Sequence, residues 1–282
     1  MAIAPARARR PGAGAPRIEP LQPGELDECP FCEGREDRTP PEVLALPREG
    51  REPNTPGWTV RVVPNLYPAL ARQEVVVHSP AHARSLAELD DTQLEAIAEA
   101  WRLRREQAGS EGFPYVQAIV NEGRAAGASL PHSHSQLVWL HEAPPTVVAE
   151  ERNLSSDNCV LCRLLEQQRG DGELLVAEYE GVFVLAAPAG RAPYELLIAG
   201  VHSPAADFTG TALVVARDGI RRLRALEGPV PWNAWLHDNS HPHIEVVPRL
   251  TVFAGLELGA GIYVNAMAPE EAADALRAAR AD

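Results

Sequence analysis

Lysine is absent from this chain: its 26 basic side chains are all arginine, they face 39 acidic ones, and the formal net charge is −13. So acidic a surface argues against non-specific binding of nucleic acid or of an anionic membrane, since both rely on basic patches. An anionic substrate must therefore be met by local positive charge, which arginine, a metal ion, helix ends or backbone N–H groups can supply. No apolar run approaches the roughly 18 residues that a membrane-spanning helix needs. The opening residues, Met1 to Pro20, are rich in Ala, Arg, Pro and Gly and contain no apolar stretch of the signal-peptide kind. Cysteine is scarce too. All four cysteines fall in two Cys-x-x-Cys pairs, Cys29/Cys32 and Cys159/Cys162. Without a secretory signal the expected location is the cytoplasm, where thiols stay reduced, so the pairs read as metal ligands or redox pairs rather than structural disulfides.

What the sequence does have is concentrated between Asn121 and Gln136. Leu130-Pro131-His132-Ser133-His134-Ser135-Gln136 carries two histidines one residue apart and a glutamine two residues later. In a strand, residues i, i+2 and i+4 share a face, so His132, His134 and Gln136 would line one surface. The middle imidazole could attack phosphorus, and the glutamine amide could donate to a phosphoryl oxygen without adding negative charge. Gly123 and Gly127, just upstream, would let backbone approach an anion closely. An H-x-H pair alone is weak, since an exposed strand can carry two histidines without any chemistry.

At 282 residues the chain suits one large domain or two of about 100–150 residues each. Residues 1–22 read as a disordered N-terminus, 23–150 as a first half carrying the double histidine, and 151–282 as a second half. In the first half, strands are expected at Trp58–Val63 (closed by Pro64-Asn65), Glu74–His78, Tyr115–Val120 and Gln136–Leu140. Ser85-Leu86-Ala87-Glu88 fits a capping box opening a helix that runs to about Gln107. Glu142–Asp157, with two prolines, reads as a linker. In the second half, strands are expected at Gly181–Ala186 and Tyr194–Ala199, and helices at Thr211–Leu226 and Pro269–Arg280.

The histidines expose a repeat. Each half reads Cys-x-x-Cys, a strand ending near a histidine, a helix, then a double histidine at His132/His134 or His241/His243, with near-equal spacing inside each half. Self-similarity of this length suggests a duplicated α+β unit: antiparallel sheets with flanking helices, related by a pseudo-twofold. Each copy could assemble two thiolates and two imidazoles for tetrahedral zinc: Cys29, Cys32, His82 and His132, then Cys159, Cys162, His202 and His241. For His82 and His202 the alternative is a surface histidine at a strand end. If His132 binds metal, His134 is held by a rigid anchor and stays available to react. After the second double histidine comes Ile244-Glu245, and a carboxylate there would repel a phosphate. One reactive histidine, His134, is therefore expected per chain.

These residues carry a family resemblance. From Cys29 to about Arg277 the chain resembles the galactose-1-phosphate uridylyltransferases, a duplicated branch of the histidine-triad (HIT) superfamily. The match includes Cys29-Pro-Phe-Cys32, Val62-Val63-Pro64-Asn65-Leu66-Tyr67-Pro68, Ser79-Pro80-Ala81-His82, Asn121-x-Gly123-x-x-x-Gly127-x-Ser129, His132-x-His134-x-Gln136, His243-Ile244-Glu245 and Gly255-Leu256-Glu257-Leu258. The resemblance implies two tandem HIT-like half-domains and a ping-pong nucleotidyl transfer through a nucleotidyl-His134 intermediate assisted by Gln136. It places Asn65, Asn121, Gly127, Ser129 and Glu257 against the substrates, a nucleotide sugar and a sugar 1-phosphate. It also implies zinc at the first Cys/His set, zinc or iron at a second, and a homodimer. The leading expectation is UDP-glucose:hexose-1-phosphate uridylyl transfer in galactose metabolism. The alternatives are an ADP-glucose or dinucleoside polyphosphate phosphorylase, and a non-catalytic zinc- and nucleotide-binding module. Three departures stand out: Ser133 where the family usually has proline, a form shared with ADP-glucose phosphorylases, and Thr251 and Tyr263 where the uridylyltransferases place a lysine and a glutamine against the hexose phosphate.

Overall fold

The structure, a computed structural model, describes residues 1–9, 15–154, 159–201 and 208–280. A short strand β1 (Ala2–Ile3) and helix α1 (Glu25–Glu28) lead into β2 (Leu44–Leu46), β3 (Val60–Pro64), β4 (Gln73–Val77), helix α2 (Asp91–Ser110), β5 (Tyr115–Glu122) and β6 (His134–Leu140). Helices α3 (Pro145–Leu154) and α4 (Val160–Asp171) connect to β7 (Leu175–Tyr179), β8 (Val182–Ala186), β9 (Leu196–Gly200), α5 (Phe208–Glu227), β10 (Trp232–His237) and β11 (His243–Pro248). The chain closes with α6 (Gly255–Ala260), β12 (Val264–Asn265) and α7 (Pro269–Ala278). β3, β4, β8 and β9 are Val-, Ile- and Leu-rich runs, which suit a pleated, packed surface.

The tandem α+β architecture is as expected, with one difference: the two halves share one sheet. Its order is β2-β3-β4-β6-β5-β10-β11-β9-β8-β7. From either edge inward, equivalent strands follow one another, β2 matching β7, β3 β8, β4 β9, β6 β11 and β5 β10. The pseudo-twofold therefore falls between β5 and β10, which pair antiparallel with Asn121 opposite Asn233.

Helices α2 and α5 cover one face and touch each other. Burial alternates along β5, with Val116, Ala118 and Val120 buried and Gln117, Ile119 and Asn121 half-buried. β6 follows the same rule: Ser135, Leu137 and Trp139 face the helices, where Trp101 of α2 donates Nε1–H to Ser135 Oγ (2.9 Å). The helix-side core runs unbroken through both halves and includes Val62, Trp101, Leu137, Leu196, Ile220 and Trp232. Each large apolar side chain fully buried there contributes about 1.5–3 kcal/mol. On the opposite face, Phe31, Trp58, Val75 and Val77 pack around Cys29, and Leu161, Leu165, Phe183 and Leu185 around Cys159. Between these clusters that face is half-open, and His134 and Gln136 project from it.

Several local expectations change. Ser85 caps a 3₁₀ turn at Leu86–Glu88, its Oγ accepting from Ala87 N–H at 3.1 Å; α2 begins later, with Asp90 accepting from Gln93 N–H at 2.8 Å. The capping box was the wrong start signal because Asp90 offers an equally good cap one turn on. The expected linker contains α3: Pro145 opens it, where proline's fixed φ favours a helix, and Val147 and Leu154 are buried. In the N-terminal segment, β1 pairs in parallel with β12, and Ile18 N–H bonds the carbonyl of Pro229 at 3.1 Å.

Candidate active site and metal centres

The Cys-Pro-Phe-Cys turn after α1 brings two sulfurs to two imidazoles. Cys29 Sγ lies 3.4 Å from His132 Nδ1, and Cys32 Sγ lies 3.3 Å from His82 Nδ1 and 3.7 Å from His132 Nδ1. All four ligand atoms fall within 4.8 Å of one another. Four ligands about 2.0–2.3 Å from a tetrahedral zinc sit roughly 3.5 Å apart, so the residues fit the ion. The outer nitrogens are already engaged: His132 Nε2 with the Ser79 carbonyl (2.9 Å), and His82 Nε2 with Glu25 (3.0 Å), which Arg84 also holds (2.8 Å). Such partners fix the tautomer of a metal-binding imidazole. Burial and the neighbouring Cys29 push the Cys32 thiol up to about 11. Two adjacent thiolates, one buried and one half-buried, need a cation.

The second half repeats the device. Cys159 caps α4, and its sulfur lies 3.0 Å from His241 Nδ1, with Cys162 Sγ at 3.6 Å. His241 Nε2 meets the Gly200 carbonyl at 2.6 Å, as His132 meets Ser79. Cys159, Cys162 and His241 thus converge as a second metal-capable group. The expected fourth ligand, His202, lies outside the described residues.

His134 opens β6, and its ring is buried (6% exposed) against Phe31, ring centroids 5.5 Å apart. Its Nδ1 sits 2.8 Å from the carbonyl of His132. A carbonyl only accepts, so Nδ1 carries the proton and Nε2 the lone pair. Burial lowers the pKa of the ring and keeps it neutral. The equivalent contact in the second half joins His243 Nδ1 to the carbonyl of His241 at 2.9 Å. There, however, Nε2 faces Glu150 (3.7 Å), which also meets His237 Nδ1 at 2.8 Å. Glu150, His237 and His243 form a third metal-capable group.

Gln136 lies two residues on, half-buried, its Oε1 accepting from the Gln73 side chain. Asn121 lies at the end of β5, its Oδ1 accepting from Asn233 Nδ2 at 2.7 Å. Asn65 follows β3, its Oδ1 accepting from Tyr67 N–H at 2.9 Å. Gly127 and Ser129 lie in the loop before β6, and Ser129 lines a cleft with Gly123, Arg124, Arg84 and Arg17. The two loop glycines differ in purpose. Gly127 (φ 93°) has open space around it, with Asn121 Nδ2 3.9 Å from where a Cβ would be. At Gly123 (φ 84°) a Cβ would come within 3.0 Å of Pro231, so close packing against the second half explains it rather than approach to an anion. Glu257 is buried in α6, where it accepts from Ala254 N–H (2.9 Å) and pairs with Arg7 (3.4 Å).

Sequence reasoning brought together the first Cys/His set and the His134–Gln136 face. It missed Gln73, Asn233, Glu150 and His237. Strand register and α3 bring these in, and no local pattern marks them.

Comparison with known proteins bears on this geometry. A family model described as galactose-1-phosphate uridyl transferase, N-terminal domain, matches residues 67–145. The chain is 30% identical over 322 residues to an ADP-glucose phosphorylase of Arabidopsis thaliana, covering 98% of this chain and 88% of that protein. It is 27% identical over 317 residues to a galactose-1-phosphate uridylyltransferase of Thermotoga maritima, covering 94% and 93%. A solved structure of an Arabidopsis thaliana ADP-glucose phosphorylase with bound ADP-glucose aligns with a TM-score of 0.81 at 27% identity, over 98% of this chain and 94% of that one.

Proposed function

This chain belongs to the galactose-1-phosphate uridylyltransferase family of nucleotidyltransferases, and from that membership we propose that it transfers an adenylyl group from ADP-glucose to inorganic phosphate through His134. The observation that carries the reading is the orientation of one ring: Nδ1–H is held by the His132 carbonyl, and Nε2 keeps its lone pair on the face shared with Gln136.

In the first step Nε2 attacks the α-phosphorus, the bond to the bridging oxygen breaks, and glucose 1-phosphate leaves. The imidazole becomes cationic, and its Nδ1–H···O=C contact strengthens as it does. Gln136 donates to a non-bridging oxygen. In the second step phosphate attacks the same phosphorus, ADP forms and neutral His134 returns. Cys29, Cys32, His82 and His132 would hold zinc, and Cys159, Cys162 and His241, with His202, would hold a second metal. The first ion would supply rigidity, fixing the histidine whose carbonyl orients His134.

Support for adenylyl rather than uridylyl transfer comes from the likeness to the Arabidopsis phosphorylase, from Ser133, and from Thr251 and Tyr263 in place of a lysine and a glutamine. Uridylyl transfer between UDP-glucose and a hexose 1-phosphate is the second reading, favoured by the Thermotoga relative and the retained Glu257. Supplying ADP-glucose with phosphate, and separately UDP-glucose with galactose 1-phosphate, separates them. Equal yields of ADP and glucose 1-phosphate are expected from the first. Turnover of only the second pair would establish the other reading, and turnover of neither by folded, zinc-loaded protein would refute both.

A homodimer belongs to the same proposal. Two exposed apolar segments support it: Leu66, Tyr67 and Leu70 beside Asn65, and Val252, Leu256 and Leu258 around Glu257. Light scattering after gel filtration tests it. We also propose a cytoplasmic location, because both Cys-x-x-Cys pairs converge with histidine as metal-capable groups, which need reduced thiols; no helix among the described residues is long and apolar enough to cross a membrane.

A further inference from the structure

We propose that Gln73 and Asn233 are positioning residues: they turn the substrate-facing amides so that the phosphates of the nucleotide meet amide hydrogens only. The inference rests on the nucleotidyl-transfer reading and assigns a task to two side chains to which that reading gives no direct contact with substrate.

A carboxamide has two ends of nearly equal shape and opposite polarity. In a phosphate site the difference decides the chemistry, because a flipped amide sets a carbonyl against an anion. The side chain cannot choose by itself. A neighbour that cannot flip must choose for it, and the structure contains two such chains of constraint.

The first starts at Ala69. Its backbone N–H can only donate, and it donates to Gln73 Oε1 at 2.8 Å. The NH₂ of Gln73 is therefore at the other end, where it donates to Gln136 Oε1. What remains of Gln136 is its own NH₂. Gln73 is 9% exposed, so water does little to loosen this arrangement. The second chain starts at Ala126, whose carbonyl can only accept. It takes one hydrogen of Asn233 Nδ2 at 2.7 Å, and the other goes to Asn121 Oδ1, also at 2.7 Å. Asn121 is left with its NH₂ beside Gly127. Asn65 is set directly by the Tyr67 N–H.

All three amides thus have their oxygen occupied and their nitrogen to spare. Asn233 comes from β10, across the pseudo-twofold, so the second half contributes to the first half's site by setting the polarity of Asn121.

Gln73→Glu is the informative substitution. A carboxylate still accepts from Ala69 N–H, but its second oxygen now requires a donor from Gln136, which must turn its carbonyl toward the phosphate. Losing a preorganised donor costs about 10²–10³-fold in rate. Gln73→Leu removes the constraint without adding charge and should cost less. The assay is single-turnover labelling of His134 by ADP-glucose, in the wild-type and Gln136→Ala backgrounds, with zinc content and melting temperature recorded for each variant. In the wild-type background, Gln73→Glu should slow labelling about 100-fold and Gln73→Leu several-fold. In the Gln136→Ala background Gln73→Leu should slow it no more than about twofold further, and Gln73→Glu should cost well below its 100-fold, retaining only the effect of its added charge, since no amide is left to orient. Equal costs in both backgrounds would overturn the inference, because a packing or charge effect would not depend on Gln136. A wild-type protein that takes no label would instead overturn the nucleotidyl-transfer reading, and the inference with it.

Discussion

His134 is distinguished from the other double-histidine rings by what its Nε2 faces. His243 has the same Nδ1 contact, yet its Nε2 meets Glu150. His134→Ala should therefore abolish covalent labelling and lower turnover by at least about 10³-fold. Zinc content and fold should be unchanged, because His134 is not among the converging ligands. Metal analysis beside the rate checks the division between nucleophile and ligand. Much of this was legible in the sequence, because the alternation His132-x-His134-x-Gln136 and the paired Cys-x-x-Cys spacings are local patterns. Gln73 and Asn233 were not legible. Gln73 reaches Gln136 only through the pairing of β4 with β6, and Asn233 reaches Asn121 only through the pairing of the two halves.

The elements around the site carry two tests of stability. Glu122, at the end of β5, accepts from Ser85 Oγ (2.8 Å) and Leu86 N–H (3.1 Å). Burial outweighs these bonds and pushes its carboxyl from an ordinary 4.5 up to about 7. Between those two values the native state holds a proton that the unfolded chain has lost. The contribution of Glu122 to stability must then fall as pH rises from about 4.5 to about 7 and level off above, by roughly 3 kcal/mol at 1.36 kcal/mol per pKa unit. Glu122→Gln should flatten that slope, as urea midpoints at pH 5 and pH 8 would reveal; parallel slopes for the two proteins would refute the assignment. Gly123 is the second test. With φ 84° and ψ 152° it occupies a region essentially reserved for glycine, and a Cβ would crowd Pro231 and Ile18. Gly123→Ala should cost about 2–3 kcal/mol by chemical denaturation, and Gly127→Ala, in open space, about 1 kcal/mol. Long periodic runs were readable as elements: α5, β5 and α7 lie where their patterns put them. The start of α2 was misplaced because two capping signals lie five residues apart, Ser85 and Asp90, and only tertiary contact with Glu122 decides between them. α3 was missed because a proline read as linker punctuation also suits a helix's first turn.

Over the whole molecule the duplication was legible and the single sheet was not, since nothing in the sequence specifies that β5 and β10 pair. The division at residues 150/151 that we propose separates the repeats, yet the core on the helix side runs through both. Residues 23–150 expressed alone would uncover the β5 edge and the α2 face that α5 covers. That fragment should not give a cooperative unfolding transition by circular dichroism, whereas the full chain should. Metal belongs to the same scale. Cys29→Ser should remove one zinc per chain and lower the melting temperature, and Cys159→Ser should remove a second metal while leaving the first in place.

The most direct measurement is the intact mass of the zinc-loaded chain after brief incubation with ADP-glucose in the absence of phosphate. One added adenylyl group is expected, mapping to His134, absent from His134→Ala and discharged as ADP when phosphate is supplied. An unmodified mass with both ADP-glucose and UDP-glucose, from protein that is folded and carries its metal, would contradict covalent nucleotidyl transfer by this histidine.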